Sequence, residues 1–90
     1  MNAQSRENLR TAILIALEKS KPYDVTLDAL SMGVLPYGFR GLSKEDLQSE
    51  VQYLVDLGFA RKAVKSISPE IGQWHITAPG RDHLAEKGLA

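Results

Sequence analysis

Three side chains in the middle of one predicted helix, Gln48, Ser49 and Gln52, have the chemistry to read nucleic-acid bases. Glutamine pairs bidentately with adenine in the major groove and serine serves several bases, so residue types and spacing both suit base readout. Five cations are candidates for phosphate neutralisation, which supplies most nucleic-acid affinity. Arg40 and Lys44 lie just before or at the start of that helix, and Arg61, Lys62 and Lys65 lie on the segment that follows it. The same residues admit plainer readings. Any solvent-facing helix face is polar, and cations on an exposed strand guard an edge against aggregation. Glu45, Asp46, Glu50 and Asp56 on the same helix oppose phosphate, against Lys44 alone.

Other chemistries find less support. His75 and His83 are the only histidines, without the close paired spacing of a zinc motif and without a cysteine to complete a site. Ser43 stands at a helix start with no histidine near it in sequence, which makes it a cap rather than a nucleophile. Gly33, Gly38 and Gly41 fail the spacing of a phosphate loop, and no strand precedes them. No enzyme activity, metal or cofactor is therefore expected.

Bulk properties narrow the class further. Ninety residues make one small domain, 1–90, near the lower limit at which a single core holds a fold without staples. The absence of cysteine removes disulfides and thiolate metal sites, so a cytoplasmic location is the expectation. No apolar run approaches the roughly 20 residues of a membrane span, and Met1 to Arg10 is too polar for a signal sequence. Eleven basic residues balance eleven acidic ones. That balance lacks the strong positive footprint of a dedicated nucleic-acid binder and favours self-association.

The elements that must position these residues are legible from periodicity and punctuation. Ser5 is a candidate cap for a first helix running to about Lys19, with Leu9, Ala12, Ile13, Ala16 and Leu17 as its core stripe. Leu14 and Ile15 fall outside that stripe and form a candidate interface, for instance in a homodimer. Lys21-Pro-Tyr-Asp24 breaks the pattern. A second helix starts near Thr26, with Leu27, Leu30, Met32 and Val34 as apolar positions and an end near Gly33. Pro36 to Leu42, with Gly38 and Gly41, reads as the turn of a helix-turn-helix.

Ser43 caps the third helix, 43–57, with Asp46 as the capping-box acid and Leu47, Val51, Leu54 and Val55 as its buried stripe. Gly58 suits the position just beyond it. A strand from Phe59 to Ser66, a turn at Ser68-Pro69-Glu70 and Gly72, and a strand from Gln73 to Thr77 make a hairpin. Trp74 and Ile76 share one face of the second strand, with Gln73, His75 and Thr77 on the other. Thr77 or Ala78 opens a last helix with Pro79 in its first turn, Leu84 inward and Gly88 at its end.

The strings Leu54-Val-Asp-Leu-Gly-Phe-Ala-Arg61 and Trp74-His-Ile-Thr-Ala-Pro-Gly-Arg-Asp-His-Leu84 resemble the third helix, wing and final helix of winged helix-turn-helix regulators of the MarR and PadR kind. The resemblance covers roughly half the chain. With its small size and first helix, the chain is also similar to small winged-helix proteins encoded in Mu-like prophages. The fold this implies is mainly α with a small β-hairpin: a three-helix core, a two-stranded wing over 59–77 and a short C-terminal helix. The function it implies is that of a transcriptional regulator, with helix 43–57 in the major groove of double-stranded DNA and the wing on the backbone. The chain lacks the long flanking dimerisation helices of the larger regulators. The matched residues build scaffold, and function falls to the exposed face of the third helix. The acidic third helix, the zero net charge and the aromatic residues Tyr37 and Phe39 suit a different use of the same fold, as a protein interaction or assembly module.

Overall fold

The computed structural model describes residues 1–63 and 72–89. Among these residues the chain is mainly helical, with four α-helices and a small three-stranded antiparallel sheet. The first helix, α1 (Ala3–Ser20), starts at Asn2, whose Oδ1 accepts the Ser5 backbone N–H at 2.8 Å. The cap expected at Ser5 therefore moves three residues back. Asparagine caps as well as serine, and the intervening Ala3 and Gln4 are good helix formers.

α1 is the central element, in contact with α2 (Leu27–Gly33), α3 (Lys44–Asp56), α4 (Ala78–Glu86) and strand β3 (Gln73–Ile76). Neighbours on several sides bury a wider arc than one stripe. Leu9, Ala12, Ile13, Leu14 and Leu17 are all buried. Leu14, expected at an interface, is only 1% exposed and belongs to the core, so it offers a partner no surface. Ile15 is half-buried at the core's rim.

Val25–Thr26 forms a two-residue strand, β1, directly before α2. Thr26 both ends the strand and caps the helix, its Oγ1 accepting the Ala29 N–H at 3.2 Å. Leu30 and Val34 are buried, whereas Met32 is 70% exposed rather than in the core. Two residues along a helix from Leu30, it points to a different face. A 3₁₀ turn at Leu35–Tyr37 leads toward α3. Ser43 Oγ accepts the Asp46 N–H at 3.0 Å, and Leu47, Val51 and Leu54 are buried.

At the end of α3 the Phe59 N–H donates to the Leu54 carbonyl and the Gly58 N–H to the Val55 carbonyl, both at 2.9 Å. This pair of bonds defines a Schellman motif, and Gly58 occupies its left-handed position with φ +82°. The chain passes directly into β2 (Ala60–Lys62).

The sheet order is β1-β3-β2, with three strands instead of the expected two. Val25 pairs with Trp74 and Thr26 with Gln73 on one side, and Ala60, Arg61 and Lys62 pair with Ile76, His75 and Trp74 on the other. Val25, Ala60, Trp74 and Ile76 are buried and turn one face of the sheet to the core. The expected strand beyond Ala63 and the Ser68-Pro69-Glu70 turn lie outside the described residues. No helix among the described residues is long and apolar enough to cross a membrane.

Thr77 joins the sheet and the last helix to the exit of α3. Its Oγ1 accepts the Gly80 N–H at 3.2 Å and donates to the Gly58 carbonyl, while its own N–H donates to the Phe59 carbonyl at 3.1 Å. Gly80 packs so tightly that an added Cβ would collide with the Phe59 carbonyl oxygen. Gly80→Ala should therefore destabilise by about 1–3 kcal/mol through overpacking, and Leu14→Ala by about 2–5 kcal/mol through the cavity it leaves. Urea unfolding monitored by circular dichroism measures both.

Candidate nucleic-acid interface

α3 presents a polar outer face because its apolar residues recur at helical spacing and are spent on the core. At about 100° per residue, Glu45, Ser49, Gln52 and Asp56 project opposite Leu47, Val51 and Leu54. Gln48 and Lys44 flank this face on one side, and Asp46 and Tyr53 flank it on the other. Gln48, Ser49 and Gln52 are all exposed. The Gln52 side-chain amide donates to Asp56 Oδ1 at 3.0 Å, a bond within the helix that base recognition would have to displace. Ser49 borders a small hollow with Met1, Arg6, Asp46 and Glu50. Arg6, exposed on the first turns of α1, is thus a cation beside α3 that spacing alone gave no reason to include.

Charge on α3 is not distributed as its composition suggests. Glu50 is turned toward α1, where Arg10 Nε donates to its Oε2 at 2.6 Å, with the two side chains only 25% and 12% exposed. The Arg10 guanidinium also lies 3.8 Å from the centroid of the Tyr53 ring. Glu50 is therefore neutralised and half-buried, and the exposed acids of α3 are Glu45, Asp46 and Asp56. Lys44 lies 3.5 Å from Asp28 in a pair about four-fifths exposed on each side, an interaction solvent makes weak. Arg40 is exposed in the segment before Ser43.

Alternation along β2 separates the two described cations of the hairpin. Lys62 lies in the cross-strand row of Trp74 and Val25, with its ammonium 6.0 Å from the Trp74 ring centroid. Arg61 lies in the outward row, where its Nε donates to His75 Nε2 at 2.8 Å. His75 Nδ1 lies 2.9 Å from Asp24 Oδ1 on the other side. Lys65 lies outside the described residues. Among the described residues, neither Arg61 nor Lys62 contacts a side chain of the α3 face: Arg61 bonds His75, and Lys62 lies over the Trp74 ring. The cation set is thus spread over the α3 flank, the preceding segment and both faces of β2.

The second histidine has a packing role, since His83 stacks on Phe59 with ring centroids 4.5 Å apart. Among the described residues no three His, Cys, Asp or Glu side chains converge as a metal site. No protein-family model matches the chain, and no curated protein matches it either.

The Arg10–Glu50 pair ties the flank of α3 to α1, alongside the buried Leu47, Val51 and Leu54 that turn its polar face outward. A double-mutant cycle on Arg10 and Glu50 should give a coupling above about 1 kcal/mol because the pair is shielded and charge-assisted. The same cycle on Lys44 and Asp28 should give about 0–0.5 kcal/mol, the usual worth of an exposed pair.

Proposed function

We propose that this chain is a small winged-helix binding module whose α3 enters the major groove of double-stranded DNA, with the β2–β3 hairpin on the backbone. The observation that carries the reading is α3 itself: thirteen residues, capped by Ser43, stopped at Gly58, and with Gln48, Ser49 and Gln52 exposed among the described residues. A recognition helix needs this combination of a rigid frame and a free polar face. The element order supports the winged-helix reading, since α2 and a turn precede α3 and a hairpin follows it directly. Withdrawal of Glu50 into its pair with Arg10 lessens the electrostatic objection, while Glu45 and Asp56 on the outer face keep the expected affinity modest.

Roles divide accordingly. Gln48, Ser49 and Gln52 are assigned to base edges, and Arg40, Lys44, Arg61, Lys62 and Lys65 to phosphates. Transcriptional regulation, in a phage-derived protein, is the biological setting this reading suits. Fluorescence anisotropy with mixed-sequence duplexes at low salt tests it. Replacing Arg61, Lys62 and Lys65 together should weaken binding to all sequences and flatten the log–log salt slope by up to about 2.7, at about 0.9 per lost phosphate contact. Gln48→Ala should instead relax preference at one base pair, by about 1–3 kcal/mol. Absence of binding at high micromolar protein rejects the DNA reading.

A second reading rests on a separate observation. Ala12 and Ile15 of α1, Tyr37 and Phe39 of the turn and Leu89 line an open hollow of about 520 Å³ that Asn8, Thr11 and Lys87 border, with Tyr37 and Leu89 exposed. An apolar groove of this kind suits protein contact, including a homodimer, without any role for DNA. Sedimentation velocity distinguishes the self-association version, which predicts a dimer that Ile15→Glu dissociates.

A further inference from the structure

The outward row of the sheet, Asp24, His75 and Arg61, is a hydrogen-bonded chain whose polarity is set by its donors. Arginine has only donors, so the 2.8 Å contact from Arg61 Nε requires His75 Nε2 to accept. The imidazole proton then sits on Nδ1 and is donated to Asp24 Oδ1 at 2.9 Å. The three residues lie side by side because His75 pairs with Arg61 in the ladder and the β1–β3 register continues from Val25–Trp74 to Asp24. His75, accepting at Nε2, is thus the link that ties Arg61 to the row.

We infer that the outer face of this sheet is a proton-gated phosphodiester contact, in which protonation of His75 releases Arg61 to a nucleic-acid phosphate. A proton on Nε2 places an N–H opposite the Arg61 N–H, so that bond is lost. Asp24 then holds imidazolium as an ion pair, and the row gains one positive charge. Its charged surroundings do not replace the lost acceptor. Lys62, the next cation on β2, lies in the inward row beside Trp74. Lys19 and Lys21, from the end of α1 and the turn after it, share a hollow with Asp24, and Lys21 is paired with Glu18. Gln73 and Thr77, the outward neighbours along β3, and Thr26 on β1 are neutral. Among the described residues Arg61 has no other acceptor. The gate rests on the DNA-binding proposal for its ligand and on the hydrogen-bond row for its mechanism.

Two measurements on the full chain separate those foundations. Nitrogen-15 spectra of the free protein at pH 8 should show His75 as the Nδ1–H tautomer, with a slowly exchanging Arg61 Nε–H that becomes fast on acidification with the midpoint of His75. An Nε2–H tautomer at pH 8, or Arg61 exchange indifferent to His75, overturns the gate whether or not DNA binds. Anisotropy with a duplex at 0.15 M salt should show affinity rising roughly fivefold from pH 8 to 5.5 beyond any rise in His75→Gln, the gain from one additional phosphate contact. Glutamine keeps an acceptor for Arg61 but does not titrate. An equal rise in the variant overturns the phosphate role, while no binding at either pH rejects the DNA reading and leaves the spectra to decide the gate.

Discussion

The junction between the exit of α3 and the entrance of α4 is the constraint on which the remaining geometry depends. Thr77 bonds the Gly58 and Phe59 carbonyls and caps α4, while Gly80 admits the Phe59 carbonyl without a side chain between them. Two positions of the chain far apart in sequence are thereby held at backbone contact. The direction in which β2 leaves α3, and hence the placement of the hairpin relative to the helix, follows from that contact. Gly58 and Gly80 serve it differently, the first through a left-handed turn and the second through the space it leaves empty.

Much of this was legible because it is encoded locally. Ser43 and Thr77 have the cap chemistry their positions require, Gly58 lacks the Cβ that makes positive φ costly, and Trp74 and Ile76 alternate with polar neighbours. The two strings that carried the family resemblance are the two sides of the Thr77 junction, which accounts for their composition without any appeal to function. What was not legible depends on neighbours far away in sequence. Leu14 is core because four other elements surround α1, and β1 is a strand because β3 lies beside it; two residues have no periodicity of their own.

The candidate site divides along the same line. Gln48, Ser49 and Gln52 are exposed where helical spacing puts them, since α3 is regular and its buried stripe is well marked. Its electrostatics were hidden, because the partner of Glu50 is Arg10 on another helix and the partners of His75 come from two other strands or their flanks. Counting charges along α3 treats four acids as equivalent. The fold makes one of them a structural tether and leaves three in solvent, so the face available to a partner is less acidic than the helix is.

Because β3 is the middle strand, neither outer strand has a partner in this sheet without it. Asp24 and His75 are 51 residues apart along the chain, and the row they share closes a loop containing α2 and α3. Closing a loop of that length costs entropy before any contact rewards it, so helices can form early while the sheet waits for the C-terminal third of the chain. Along the chain, α3 precedes the strand that completes the sheet beside it. The Asp24–His75–Arg61 row thus joins three segments of the chain that are separate in sequence.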